Sequence, residues 1–228
     1  MSESTPERDP PAGAHADPSP LPRRTLLLGA GLATLGGWLA WRSLRRVPAA
    51  PSAPDAVAPA RVGAATVLND TQELPDFRLQ SPAGPLDRQW LRGRWSLVFF
   101  GYTQCPDVCP GTLGMLAEAL RGLPAGQRPQ VLFISVDADR DTPELLAQYV
   151  PSFDPAFRGA AGPDEDLVAL VRHLGVHYER HAPGALGQYT VDHTASVFLI
   201  DPAVRLKALF SPPHDAAAVA ASLSQLIA

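Results

Sequence analysis

Four short runs of this chain are almost wholly apolar: Ser96-Leu-Val-Phe-Phe100, Val131-Leu-Phe-Ile-Ser-Val136, Ala195-Ser-Val-Phe-Leu-Ile200 and Leu206-Lys-Ala-Leu-Phe210. Runs of this length without polar alternation predict strands covered on both faces. Between them the apolar residues change period. Leu113, Leu116, Ala117 and Leu120 fall at helical spacing within Gly111 to Gly122, and a second helix is expected after Thr142, which can cap it with Pro143 in its first turn. A third is expected over Glu165 to His173 and a last one near Asp215 to Ile227. Leu74-Pro-Asp-Phe-Arg-Leu79 and Gly84-Pro-Leu-Asp87 read as a hairpin around the Ser81-Pro82 turn, and Asp201-Pro202 turns the chain between the last two strands.

Two parallel strands joined by a helix, then an antiparallel hairpin and a closing helix, give the element order of an α/β, thioredoxin-like fold. Fold alone does not give function. A different pattern precedes it: residues 25–41, Thr25 to Trp41, carry no charge and approach the length that crosses a bilayer as a helix. Trp38 and Trp41 suit an interfacial belt, and arginines flank both ends. Pro22-Arg-Arg-Thr-Leu-Leu-Leu28 resembles a twin-arginine export signal, which would place the C-terminal domain outside the cytoplasm. The expected organisation is a disordered tail over 1–24, a transmembrane anchor over 25–41, a Pro/Ala-rich linker over 42–61 and a thioredoxin-like domain over 62–228. The expected location is the cell inner membrane, single pass, with that domain facing the periplasm.

Composition narrows the partners. The net charge is −4, Lys207 is the only lysine, and no basic run lies outside the N-terminal region, so there is no electrostatic footprint for nucleic acid. Both cysteines, Cys105 and Cys109, lie in Phe99-Phe-Gly-Tyr-Thr-Gln-Cys-Pro-Asp-Val-Cys-Pro110, directly after the first buried strand. Cys105 is expected in the loop and Cys109 in the first helical turn, where the helix N-terminus favours a thiolate. A disulfide closing so short a loop would remove little entropy from the unfolded chain, which leaves a redox dithiol or a metal claw.

Structural zinc sites want four protein ligands, whereas two soft thiolates with an imidazole suit copper. His173, His177 and His181 recur every four residues, but Gly175 argues that the helix ends before they can align. His15 lies in the tail and His214 beside the last helix. His193, in Val191-Asp-His-Thr194, precedes the strand expected beside the one that delivers Cys105, and reads either as a locally bonded loop histidine or as a ligand. The acidic loop Asp137-Ala-Asp-Arg-Asp141 reads either as capping groups or as a surface for a partner, while Asp107 complements the helix dipole outside any metal shell.

Three segments together, the cysteine motif, Ser135-Val-Asp-Ala-Asp-Arg-Asp-Thr-Pro143 and Val191-Asp-His-Thr-Ala-Ser-Val-Phe-Leu-Ile-Asp201, resemble the signatures of the Sco/SenC family, over about Leu74 to Ile227. The resemblance implies a membrane-tethered metallochaperone that helps assemble the binuclear copper A centre of cytochrome c oxidase. It implies Cys105, Cys109 and His193 as ligands for Cu(I), Cu(II) or both. Its implied partners are the copper-binding subunit of the oxidase and a periplasmic copper donor. The competing reading is a thiol-disulfide reductase in which Cys105 and Cys109 reduce the acceptor's cysteines before metal loading. Against general oxidoreductase activity, Thr194-Ala195-Ser196 stands where such enzymes carry a proline, and the cysteine spacing is one residue wider.

Overall fold

The computed structural model describes residues 59–69, 72–184 and 188–228. The expected tail, the apolar run at 25–41 and most of the linker lie outside them. Among the described residues no helix is long and apolar enough to cross a membrane. Val57–Ala228 forms one compact unit.

The two central apolar runs are β5 (Ser96–Gly101) and β6 (Gln130–Ser135), paired in parallel. The later two are β10 (Val197–Ile200) and β11 (Leu206–Phe210), an antiparallel hairpin whose first strand runs antiparallel to β5. A third parallel strand, β7 (Arg158–Ala161), extends the sheet beyond β6. The N-terminal strands β1 (Ala60–Val62) and β2 (Ala65–Val67) add to β11, and the hairpin of β3 (Arg78–Ser81) and β4 (Gly84–Asp87) closes the other edge. The resulting nine-stranded order is β1-β2-β11-β10-β5-β6-β7-β3-β4.

Side chains alternate between the two faces of this sheet. Leu97, Phe99, Val131, Phe133, Val197 and Leu199 point into one core. Val98, Phe100, Leu132, Ile134, Phe198 and Ile200 point into the other. The first core is covered by α2 (Val108–Arg121) through Leu113, Leu116 and Leu120, by α3 (Pro143–Tyr149) through Leu146, and by α5 (Ala216–Leu226) through Val219 and Leu223. The second is covered by α4 (Asp164–Leu174) through Leu167, Leu170 and Leu174, and by Leu79 and Leu86 of the edge hairpin. Each fully buried Leu or Phe contributes about 1.5–3 kcal/mol, so the two faces share the load of holding the sheet. The arrangement is the mixed α/β, thioredoxin-like fold expected from the element order.

Several elements differ from the expectation. The edge hairpin begins at Arg78, because Leu74 and Phe77 leave the sheet to bury themselves in the second core. A short helix, α1 (Arg88–Leu91), follows β4 under an Asp87 cap. The third parallel strand and a two-stranded ribbon, β8 (Tyr178–Arg180) with β9 (Val191–His193), were not expected. Thr142 caps α3 with Pro143 at its start, as read from the sequence. Gly175 takes a left-handed conformation with φ 68° and ends α4 at Leu174, so the four-residue histidine row is broken as anticipated.

Candidate metal centre

The parallel strand β5 ends at Gly101, and the chain then makes a tight turn, with the Cys105 amide donating to the Tyr102 carbonyl at 3.2 Å. Helix α2 starts at Val108, which places Cys105 in the loop and Cys109 in the first turn. Cys109 is fully buried and Cys105 partly so; both are free thiols. The sulfur of Cys109 occupies the space above Gly101: a Cβ there would lie 2.5 Å from Sγ and 2.9 Å from the Phe133 ring. A strand residue without a side chain is therefore what lets the helix seat its thiol against the sheet.

The third member arrives from a separate element. His193 ends β9, and its Nε2 lies 3.3 Å from Cys109 Sγ across 84 residues of chain. The imidazole stands edge-on to Phe99 and Tyr102, at 6.0 Å from each ring. Its Nδ1 lies 3.2 Å from the Thr194 carbonyl oxygen. A carbonyl only accepts, so the hydrogen belongs on Nδ1 and the Nε2 lone pair faces the sulfurs. One ligand atom each from Cys105, Cys109 and His193 falls within 4.8 Å of the others. All three residues singled out from the sequence thus meet at one point.

Burial sets the protonation of this cluster. It pushes the Cys109 thiol well above the ordinary thiol range, outweighing the hydrogen bond to the Tyr102 backbone that lowers it. The same cause holds the His193 imidazole below its ordinary value. The expected thiolate at the helix N-terminus is accordingly a neutral thiol at Cys109, because desolvation exceeds the dipole's help. A neutral imidazole and two thiols that lose protons on metal binding form a soft, nitrogen-containing donor set. That set fits copper in either oxidation state, and lacks the fourth ligand of a structural zinc site.

The other histidines lie elsewhere. His181 Nε2 pairs with Asp192 at 2.9 Å on the outer side of the ribbon, and His177 is exposed. His173 is the one of that row inside α4. His214 Nε2 lies 2.9 Å from the Ala195 carbonyl oxygen, and His15 lies outside the described residues. Asp107 caps α2 in sequence position but makes no side-chain cap bond, and it is exposed.

The acidic loop divides: Asp139 is exposed, whereas its two outer aspartates do more than cap. Asp137 and Asp141 are buried at 0% and 1% exposure. Asp141 accepts from the Thr103 amide at 2.9 Å, the Thr103 hydroxyl at 2.5 Å and the Ser135 hydroxyl at 2.6 Å, fixing the loop two residues before Cys105. Asp137 accepts from Tyr189 Oη at 2.6 Å and from Arg140 Nε. Arg140 Nη1 then reaches Gln104 Oε1 at 3.1 Å and the Tyr189 carbonyl at 3.0 Å, with its guanidinium stacked 3.5 Å over the Tyr189 ring. Arg180 ties the ribbon to Asp164 and to the Val136 carbonyl. These contacts dock the histidine-bearing ribbon onto the cysteine loop. Gly101 and the bonding partners of Asp137 and Asp141 were not singled out from the sequence, and only the proximity of Thr103 to the cysteine motif hinted at them.

Residues 66–228 match the SCO1/SenC family. A bovine relative, "Protein SCO2 homolog, mitochondrial" from Bos taurus, is 35% identical over 182 residues, covering 78% of this chain and 64% of its own length. The chain therefore spans somewhat less than two thirds of that relative. Among solved structures, apo Sco1 from Thermus thermophilus is 37% identical with a TM-score of 0.64, covering 75% of this chain and 99% of its own. ScoI from Bradyrhizobium japonicum, solved with copper bound, is 34% identical with a TM-score of 0.61, covering 68% of this chain and 99% of its own.

Proposed function

We propose that this chain, which belongs to the SCO1/SenC family, is a copper metallochaperone that carries the metal as cargo on Cys105, Cys109 and His193. The observation that supports this reading is the convergence of two thiols and one neutral imidazole, from two distant parts of the chain, within 4.8 Å. The family and the copper-bound ScoI relative support copper as the metal. The recipient in this reading is the binuclear copper A centre on the copper-binding subunit of cytochrome c oxidase. A periplasmic copper donor supplies the metal. The chain is tethered to the cell inner membrane through residues 25–41, with its folded domain in the periplasm.

The chemistry of loading follows from the protonation states. Two S–H groups each give up a proton as the metal binds, and the His193 lone pair completes the set without proton release. Cys105 and His193, both partly exposed, form the mouth, and Cys109 forms the floor. An acceptor thiolate exchanges first with the outer ligands. Cys109, the buried ligand, is displaced last.

Copper titration of the reduced chain tests this. The wild type should take up one copper per chain, and Cys105→Ser should lose tight Cu(I) binding because an alcohol is a hard donor. His193→Ala should keep Cu(I) on two thiolates yet lose the thiolate-to-Cu(II) charge-transfer band, since Cu(II) favours a nitrogen-containing set. Near-normal copper in Cys105→Ser, or an unchanged Cu(II) spectrum in His193→Ala, refutes the three-ligand site.

The second reading, a reductase of the acceptor's cysteines, is favoured by one observation: the more exposed Cys105 stands beside the buried Cys109 with both thiols free. In that reaction the Cys105 thiolate attacks an acceptor disulfide and one acceptor sulfur leaves as a thiol. Cys109 then attacks the mixed disulfide, and the pair ends oxidised. Insulin reduction at a rate unaffected by His193→Ala would shift the assignment to this reading.

A further inference from the structure

A surface cavity of about 660 Å³ opens at the end of the strands opposite the cysteines, lined in part by Trp90, Trp95, Arg94, Arg128, Arg158 and Asp154. The three arginines stand ahead of, or at the start of, the three parallel strands β5, β6 and β7. All three are exposed, and none joins an ion pair among the described residues. They donate instead to backbone carbonyls: Arg94 to Trp90, Arg128 to Leu123, Arg158 to Pro155 and Phe157. Those bonds fix the guanidiniums without neutralising them. Arg94 also lies over the Trp90 ring, 5.4 Å from its centre. Among the described residues the cavity's one carboxylate, Asp154, accepts from the Ala156 amide at 2.8 Å. The metal centre does not use this end, and the acceptor reading leaves it idle.

The direction of the chain links this end to what precedes it. β1, β11 and β5 run one way, with β2 and β10 the other. The chain therefore enters the folded unit, at Ala60, at the sheet end that carries the cavity. Upstream of that entry lies the uncharged run at 25–41, joined by the Pro/Ala-rich stretch 42–59. Through those 18 residues of chain, the entry end is the part of the folded unit joined most directly to that run.

Residues 59–228 contain 13 Lys and Arg against 18 Asp and Glu. The folded unit as a whole is thus repelled by an anionic surface, and an unoriented approach is disfavoured. The cavity end is the exception, combining unpaired guanidiniums with indoles, the two side-chain types suited to the headgroup zone.

We infer that this arginine and tryptophan end docks on the anionic headgroups of the bilayer that holds the chain, resting on the tethered reading above. The docked domain holds its copper ligands at the far end of β5. Six residues of strand separate the two ends, on the order of 20 Å. The metal centre then faces away from the lipid, toward a partner domain standing above the membrane.

The full-length chain with Trp38→Phe and Trp41→Phe, reconstituted in nanodiscs, tests this, because Trp90 and Trp95 are then its only indoles. Discs carrying a headgroup nitroxide lipid should quench that emission when anionic lipid is present and much less in zwitterionic discs. Each guanidinium near such a surface weighs about fivefold in partitioning. Arg94→Glu, Arg128→Glu and Arg158→Glu together should therefore reduce quenching to the zwitterionic level, with the three glutamine variants in between. Emission matching the wild type in zwitterionic discs without the nitroxide, where neither chain docks, shows that the variants remain folded. Retention in the discs without quenching, or quenching indifferent to charge reversal, overturns the docking alone. Recovery of the chain outside the discs defeats the tethered reading and the docking with it, while leaving the copper site untouched.

Discussion

Gly101→Ala is a change of one methyl group at the point where the sheet meets the metal centre. Its Cβ would sit 2.5 Å from Cys109 Sγ and 2.9 Å from the Phe133 ring, with both groups buried. Each contact is about 1 Å inside ordinary van der Waals separation, and neither neighbour is the free end of a long side chain. The thiol must swing away, or β5 and α2 must part. Overpacking of this kind costs about 1–3 kcal/mol. At about 2–4 °C per kcal/mol for a domain of this size, the apo protein should melt about 2–12 °C lower. Displacing a ligand through its supporting wall should weaken Cu(I) binding about 10–100-fold. Gly114→Ala is the matched control, since a Cβ there meets nothing within 4 Å. In the interior of α2 it should stabilise by about 0.5–1 kcal/mol. Thermal melts of both variants, with Cu(I) competition against a chromophoric chelator, give the comparison. A melting point within 1 °C of wild type and an affinity within about twofold for Gly101→Ala would falsify the account of how the sulfur is seated.

Asp141→Ala removes the acceptor for three donors around Thr103 and Ser135. It should destabilise by about 3 kcal/mol or more and loosen Cys105, seen as a lower urea midpoint together with weaker copper binding; a shift in neither rejects the role given to this carboxylate. Arg180 holds the Asp164 carboxyl below its ordinary value of 3.8 by hydrogen bonding. The unfolded chain therefore binds that proton first as pH falls, so the contribution is present above about 3.8 and is lost toward the lower folded value. Arg180→Ala should flatten this part of the melting curve between about pH 2 and 5, and identical pH profiles would show the pair to be idle. A fragment starting at Val57 should unfold cooperatively in urea, because Val57–Ala228 carries its own core; a broad, non-cooperative transition refutes that boundary.

The strands legible in the sequence were those buried on both sides, since an unbroken run such as Leu97 to Phe100 has no other use in a small domain. β7 was illegible for the opposite reason. Its Arg158-Gly-Ala-Ala161 has no large apolar side chain, because Val150 and Leu146 fill the space where a Cβ of Gly159 would lie, at 2.9 and 3.1 Å. The ribbon β8 with β9 was equally silent: Tyr178-Glu-Arg180 has no apolar run, with Tyr178 and Arg180 bonded to Asp164 and only the Tyr178 ring packed on the core. Cys105 and Cys109 announced themselves by spacing at a strand-to-helix junction. His193 did so by its place before a buried strand, and more firmly through the family resemblance. The acidic loop misled because its partners, Thr103 and Tyr189, lie 38 and 52 residues away, and no local pattern distinguishes a buried aspartate from an exposed one.

The 84 residues between Cys109 and His193 also make the site a report on the state of the chain. An unfolded or half-made polypeptide already holds both thiols four positions apart, but it has no imidazole near them. Bringing that ring back by chance across such a loop carries an entropic penalty of about 4 kcal/mol, which the folded sheet has met in advance. If the chain carries copper as proposed, the two thiols alone offer a Cu(I) site before the fold is made, while the nitrogen that favours Cu(II) is added only once folding is complete. On that reading, folding decides when the nitrogen-containing donor set exists at all.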